Sequence, residues 1–314
     1  MYQKFFGIKE SPFNINPDPR YLFMTRHIQE ALACLIYGIQ TRKGFTLLTG
    51  EVGTGKTTVL NKLLEWSRVE NIATAFVFNP RLSETEFFDF MMADFGIPCE
   101  SQMKSRVLIT LNQWLLERHK NGQRAVLVID EAQSLSFDML EEIRLLTNLE
   151  TSTEKLLQIV LAGQPELEDN LNRAELRQLR QRITLWAKTR PLSILETHGY
   201  VTERLRIAGN RGEEIFTSEA IEAINRYARG IPRVINLICE HALITAFVEQ
   251  MKPISEAIIE EVARDFNLQD ATVLASAAAK PANSSAHPVL VDPSTTGLKP
   301  NLSSLSRAGG EKKL

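Results

Sequence analysis

The sequence predicts an α/β domain, a five-stranded parallel sheet sandwiched by helices, followed by a small all-α domain. Three observations carry this. Between Phe45 and Lys188 short apolar runs alternate with helix-length amphipathic stretches, the pattern of strands buried on both faces and joined by crossover helices. A glycine-rich segment, Gly50-Glu51-Val52-Gly53-Thr54-Gly55-Lys56-Thr57, follows the first run directly. From Ser193 the strand pattern stops and only helical periodicity continues.

Taken in order, residues 1–43 form an opening segment. Its turn-rich start holds Pro12, Pro17 and Pro19, and a helix is predicted over 27–40, with Ile28, Leu32, Leu35, Ile36 and Ile39 at helical spacing. Residues 44–192 hold the strands, predicted at 45–49, 74–79, 125–130, 156–162 and 183–188. Residues 193–268 hold helices at 196–208, 218–229, 232–249 and 255–266, with Ser218 as a natural N-cap and Gly230-Ile231-Pro232 as a break. Residues 269–314 form a tail. From Ala271 on it contains no aromatic residue and is rich in Ala, Ser and Pro. Such a segment buries too little apolar surface to offset its ordering entropy, so disorder is expected.

The bulk numbers narrow the function classes. With 44% hydrophobic residues, 24% charged residues and a net charge of −2, the chain has no global electrostatic reason to bind nucleic acid or an anionic membrane. Cys34, Cys99 and Cys239 lie far apart without metal-ligand spacing and read as small apolar fillers of a reduced protein. No run approaches the ~18 apolar residues that span a bilayer, and the N-terminus lacks the apolar core of a signal peptide. A cytoplasmic protein is expected, held at the inner membrane, if at all, through partners.

The chemistry concentrates at predicted strand ends. Residues 50–57 fit G-x4-G-K-[ST], with an apolar strand before and a helix starting at Thr58 after. In this pattern Gly50, Gly53 and Gly55 free the backbone N–H groups of a loop completed by Glu51, Val52 and Thr54 to wrap phosphates. The helix N-terminus adds partial positive charge. Lys56 can reach the β- and γ-phosphates of ATP, and the Thr57 hydroxyl can ligate Mg²⁺. The run Ala125-Val126-Leu127-Val128-Ile129 ends in Asp130-Glu131. Asp130 would hold the metal shell and Glu131 would polarise the attacking water. A mere nucleotide binder needs no such second carboxylate, so Glu131 points to hydrolysis.

Other polar groups admit two readings each. Gln164, after the run at 156–162, orients the lytic water or caps the turn Pro165-Glu166-Leu167. Asn79, ending its strand, restrains Glu131 or forms a turn. Arg180 and Arg182, in Leu176-Arg177-Gln178-Leu179-Arg180-Gln181-Arg182, line a solvated helix face or supply an arginine finger to a neighbouring subunit. Arg233, opening a helix of the α-domain, either contacts the phosphates or is an ordinary surface arginine.

Several motifs occur together: Phe6-Gly7-Ile8, Pro17-Asp18-Pro19-Arg20-Tyr21-Leu22-Phe23, residues 50–57, Ile129-Asp130-Glu131-Ala132-Gln133, Leu145-Leu146-Thr147-Asn148-Leu149-Glu150-Thr151, Gly163-Gln164-Pro165-Glu166-Leu167 and Gly230-Ile231-Pro232-Arg233. As a set they resemble the ExeA-type ATPases, also called general secretion pathway protein A, with relatives from pilus-biogenesis and exosortase-associated loci. More distantly the chain is similar to TniB-type transposition ATPases. The resemblance covers residues 1–268. It implies an AAA+ P-loop NTPase fold with a helical lid, acting as an oligomeric ring with shared ATP sites. It further implies Arg233 as the lid's nucleotide sensor, Arg180 or Arg182 as the finger, and Tyr21 and Leu22 beside the adenine.

Two departures matter. Many AAA+ proteins carry Asn or Thr where Gln164 stands. The longer secretion members continue into a membrane span and a wall-binding domain that this sequence does not show, so membrane anchoring and peptidoglycan binding are not carried over. The expected function is a Mg·ATP-hydrolysing motor or switch of a secretion, pilus or exopolysaccharide-export system, working with envelope components. The alternative is a DNA-associated ATPase of a transposition or partition system. A third class, a nucleotide-gated scaffold without turnover, is disfavoured by Glu131.

Overall fold

A computed structural model describes residues 1–270 except 15, 17, 79–81 and 99–102, so Asn79, Cys99 and most of the tail lie outside the described residues. Strands β1 (Phe45–Thr49), β2 (Ala73–Val77), β3 (Ala125–Ile129), β4 (Leu157–Gly163) and β5 (Ile183–Lys188) form one parallel sheet in the order β2-β3-β4-β1-β5. Leu47 pairs with Leu161 on one side and Trp186 on the other, and Leu127 pairs with Ile159. β1, β3 and β4 are buried at every position, which is why they read as mainly apolar runs rather than alternating ones, with Thr46, Thr49 and Gln158 as buried polar members. Their adjacency brings the ends of β1, β3 and β4 to one rim, where ligands of open α/β sheets bind.

The chain opens with a short helix, α1 (Tyr2–Phe5), which packs away from the sheet. Helices α2 (Arg26–Gln40) and α3 (Lys56–Val69) cover one sheet face, with Leu35, Val59 and Leu63 against Val126, Val128 and Val160. Thr25 starts α2 by accepting the Ile28 N–H at 3.3 Å. The other face is covered by α4 (Glu84–Asp94), α5 (Lys104–Lys120), α6 (Phe137–Leu146), α7 (Pro165–Leu171) and α8 (Arg177–Arg182). There Phe87, Met91, Leu111 and Leu140 pack on Leu47, Leu127 and Leu161.

The helical lid is α9 (Ile194–Ile207), α10 (Ser218–Ala228), α11 (Pro232–Val248) and α12 (Glu256–Asp265). Its core includes Tyr200, Phe216, Ile235 and Leu243, and also Phe6 and Phe13 from the opening segment. Phe13 meets Phe216 edge-on at 6.1 Å, and the Lys9 N–H donates to Ala208 O at 2.7 Å. The opening segment therefore divides: its start is built into the lid, and α2 is built onto the sheet.

Several boundaries differ from the sequence expectation. The N-cap of α10 is Thr217, not Ser218. Thr217 has the extended backbone a cap requires and accepts the Ala220 N–H at 3.2 Å, whereas Ser218 is already helical. α3 starts at Lys56, two residues early, because Gly55 turns the chain in with φ of 98°. β2 stops at Val77, leaving Phe78 exposed, and β3 stops at Ile129, so Asp130 stands just past the strand.

Candidate nucleotide site

The loop after β1 is shaped by close contacts that only glycine allows. A Cβ on Gly50 would lie 2.0 Å from Thr189 Oγ1, and one on Gly53, at φ of 80°, would lie 2.8 Å from the Cβ of Arg233. The Thr54 hydroxyl donates to Glu51 O at 2.7 Å and lies 2.7 Å from Thr189 Oγ1, tying the loop to the end of β5. The Arg233 N–H donates to Gly53 O at 3.2 Å, so the first turn of α11 rests directly on the loop.

Lys56 and Thr57 occupy the first turn of α3. Lys56 is buried, and its ammonium donates to Gly50 O at 2.8 Å and Glu51 O at 3.1 Å. Burial holds its pKa below the ordinary lysine range. Among the described residues its hydrogen bonds go to carbonyls alone, a cation that an incoming anion would complete. The Thr57 hydroxyl donates to Asp130 Oδ2 at 2.9 Å, and the Glu131 N–H donates to Asp130 Oδ1 at 2.9 Å. Asp130 is buried, and that burial pushes its carboxyl above the usual aspartate range despite both bonds.

Glu131 has a left-handed backbone, φ 54° and ψ 34°, which few residues other than glycine adopt. Its Oε2 accepts from Gln164 Nε2 at 3.2 Å and from Gln133 Nε2 at 2.6 Å. Gln164 sits at the N-cap position of α7, but its side chain makes no capping bond and turns to Glu131. Gln133 closes the motif Ile129-Asp130-Glu131-Ala132-Gln133 but has no role assigned from the sequence, because nothing there shows what its side chain meets.

Of these groups Lys56, Thr57, Glu131 and Arg233 line a cleft of about 410 Å³ between sheet and lid, while Gly50, Glu51, Asp130, Gln133 and Gln164 stand behind its wall. Tyr21, Leu22, Val52, Gly53, Thr54, Gly55, Lys56, Thr57, Thr58, Glu131 and Arg233 all line it. Tyr21 is buried, donates its hydroxyl to Glu10 Oε1 at 2.9 Å, and has its pKa pushed up to about 12, chiefly by burial. His27, Tyr200, Arg204 and Asn236 also line the cleft, and none of them carries a signal of that place in the sequence. Arg204 is buried, with its guanidinium 4.4 Å above the Tyr21 ring. It donates to Tyr200 Oη at 2.8 Å and to Pro12 O at 2.5 Å. On sequence it is one more basic residue of a lid helix.

The two candidate finger arginines have different surroundings. Arg182 donates to Thr147 Oγ1 at 2.6 Å, Asn148 Oδ1 at 2.8 Å and Arg144 O at 3.3 Å, a cation set on the C-terminal end of α6. Arg180 is exposed on α8. Neither lines the cleft.

The AAA domain family matches residues 39–171, from the end of α2 through α7. With the fold and the loop, this defines the class: the chain is a P-loop ATPase of the AAA+ type. Among solved structures it is similar to Cdc6p from Pyrobaculum aerophilum, with a TM-score of 0.63 and 16% identity over 82% of this chain and 71% of that one. The Aeropyrum pernix ORC2 protein, solved as ADPNP–ADP complexes, gives a TM-score of 0.62 and 15% identity over 82% and 71% of the two chains. At such identity these likenesses are of fold. The more particular likeness is to general secretion pathway protein A of Aeromonas hydrophila, 47% identical over 248 residues. That match takes in 79% of this chain and 45% of the relative, so the chain spans less than half of the relative's length.

Proposed function

We propose that the chain binds Mg·ATP in this cleft and hydrolyses it with Glu131 as the base, as an oligomeric motor or switch serving secretion, pilus or exopolysaccharide-export machinery. The observation that carries the reading is the bond of Thr57 Oγ1 to Asp130 Oδ2 at 2.9 Å, with Glu131 next in the chain and facing the same cleft. A hydroxyl and one carboxylate suit Mg²⁺, which takes few protein ligands and fills its shell with water and phosphate oxygens. Among the described residues no group of three or more His, Cys, Asp or Glu builds a metal cage instead. When bound, the metal neutralises charge on the β- and γ-phosphate oxygens.

The chain's own residues divide the remaining work. Lys56 and the N–H groups of residues 51–53 and 55–58 hold the phosphates, Glu131 takes a proton from water, and Gln164 orients that carboxylate. Arg233 carries the phosphate state to the lid through α11, and Tyr21 and Leu22 face the base. Arg180 is the finger offered to a neighbouring subunit, because it is exposed, while Arg182 is spent on anchoring α8 to α6. The pathway is inferred from the name of the 47% identical relative. The likeness to origin-recognition proteins is one of fold and assigns no DNA substrate. Among the described residues no helix is long and apolar enough to cross a membrane. We place the chain in the cytoplasm, reaching the inner membrane through partners.

The shared site is tested by mixing. Arg180→Ala should bind ATP yet lose about 10³–10⁵ in turnover, as loss of a trans finger does. Adding the inactive Glu131→Gln protein should restore part of the phosphate release, since some interfaces then pair an intact base with an intact finger. Normal turnover of Arg180→Ala, and separately of Arg182→Ala, would remove α8 from the active site.

A further inference from the structure

We propose that Gln133 is the positioning residue of the catalytic carboxylate, its side-chain amide strapping Glu131 to the tip of β4. The inference rests on the reading of Glu131 as the base. Gln133 lies in the tight turn Ala132–Ser134 directly after β3. Its Nε2 donates to Glu131 Oε2 at 2.6 Å, while its Oε1 accepts the Gln164 N–H at 3.0 Å. A primary amide carries a donor and an acceptor on one carbon, so it can bridge a carboxylate and an N–H at the same time. A carboxylate, which only accepts, or an ammonium, which only donates, lacks one half of that pair.

The neighbouring backbone is fitted to the strap. A Cβ on Gly163 would stand 2.7 Å from Gln133 Oε1 and 3.3 Å from its backbone N, so the amide occupies the space a side chain there would take. The connection also continues toward the phosphate loop: the Gly50 N–H donates to Gly163 O at 3.3 Å. Gly50, the tip of β4, Gln133 and Glu131 thus form one bonded series from the first residue of the loop to the base. Glu131 needs such a restraint, because its left-handed backbone aims the side chain without help from a regular element.

Two variants separate the halves of the strap. Gln133→Leu removes both. Gln133→Glu keeps an acceptor for the Gln164 N–H but loses the donor to Glu131 and sets a like charge beside it. Both should bind ATP with near wild-type affinity and lose about ten- to a hundredfold in kcat, the scale of a base displaced by about an ångström. KM for ATP should be little changed. A readout independent of turnover follows from the backbone bond: hydrogen exchange of the Gln164 amide should accelerate in Gln133→Leu and stay near wild type in Gln133→Glu. A role in packing alone predicts full activity for Gln133→Met, which keeps the size, adds no charge and makes neither bond. Wild-type kcat in both variants beside an inactive Glu131→Gln would overturn the strap, and so would loss of ATP affinity in step with kcat. An active Glu131→Gln would instead overturn the assignment of the base on which the strap depends.

Discussion

The sheet rim and the lid face each other across one cleft, yet they place their polar groups differently. At the rim, strand ends aim them: Asp130 and Glu131 follow β3, Gln164 follows β4, and Lys56 and Thr57 follow the loop after β1. Each strand is anchored on both faces by buried aliphatic side chains, so the groups past its end inherit a fixed position. On the lid side Tyr200 and Arg204 stand on α9 and Asn236 on α11, and the opening segment holds them. Tyr200 Oη donates to Asn236 Oδ1 at 2.8 Å, Arg204 donates to Pro12 O, and Phe13 is buried in the lid core. The rim is rigid because of the sheet. The lid wall is instead tied to the opening segment through Pro12, Phe13 and Tyr21.

That contrast can be broken most strongly at Phe13. Phe13→Ala empties a site that is 1% exposed, a loss of about 3–5 kcal/mol for a buried phenylalanine. Denaturant unfolding should show that loss, and ATP titration should show weakened binding, because Tyr21 and Arg204 lose their support. Unchanged ATP affinity in a destabilised Phe13→Ala would mean that the lid wall does not depend on the opening segment.

A second test addresses the rim through pH. Burial raises the Asp130 carboxyl in the folded chain above the ordinary range, so the folded state holds that proton more tightly than the unfolded one. The sign follows: stability drawn from this group is full below the ordinary aspartate pKa and is lost as pH rises through the folded value. A divalent cation reverses the cost, since it favours the carboxylate and releases the proton. The extra thermal stabilisation by Mg·ATP over ATP without metal should therefore shrink on acidification at pH values where an ordinary aspartate is still ionised. Asp130→Asn should flatten that dependence.

The smallest effect separates neighbouring residues of the lid. Thr217→Ala should cost about 1 kcal/mol by removing the cap of α10, with turnover unchanged, while Ser218→Ala should be close to neutral. Equal losses at both positions would contradict the cap placement.

How much was legible follows the same divide. The strands of the core, the loop at 50–57 and the Asp130-Glu131 pair were read from sequence because each depends on contiguous residues: a mainly apolar run, glycines at fixed spacing, carboxylates at a strand end. The lid wall was not. Arg204 meets Tyr21 and Pro12 across more than half of the chain, and nothing in the local pattern of α9 distinguishes it from Arg206, which pairs with Glu203 at 2.7 Å on the surface. The role of Gln133 was hidden for the same reason, since its partner Gln164 arrives just past β4. Ser218 was chosen as a cap because serine is a frequent one, whereas the backbone turns at Thr217. Arg180 and Arg182 were indistinguishable until α6 supplied the acceptors that occupy Arg182.

The central claim is that the carboxylate after Asp130 turns a nucleotide-binding rim into a hydrolase. ATP titration and steady-state phosphate release on Glu131→Gln, with Lys56→Ala beside it, test this most directly. Glu131→Gln should bind ATP as the wild type does and lose about 10²–10⁴ in turnover, the contribution of a general base. Lys56→Ala should lose binding itself. Phosphate release by Glu131→Gln at close to the wild-type rate would contradict the account.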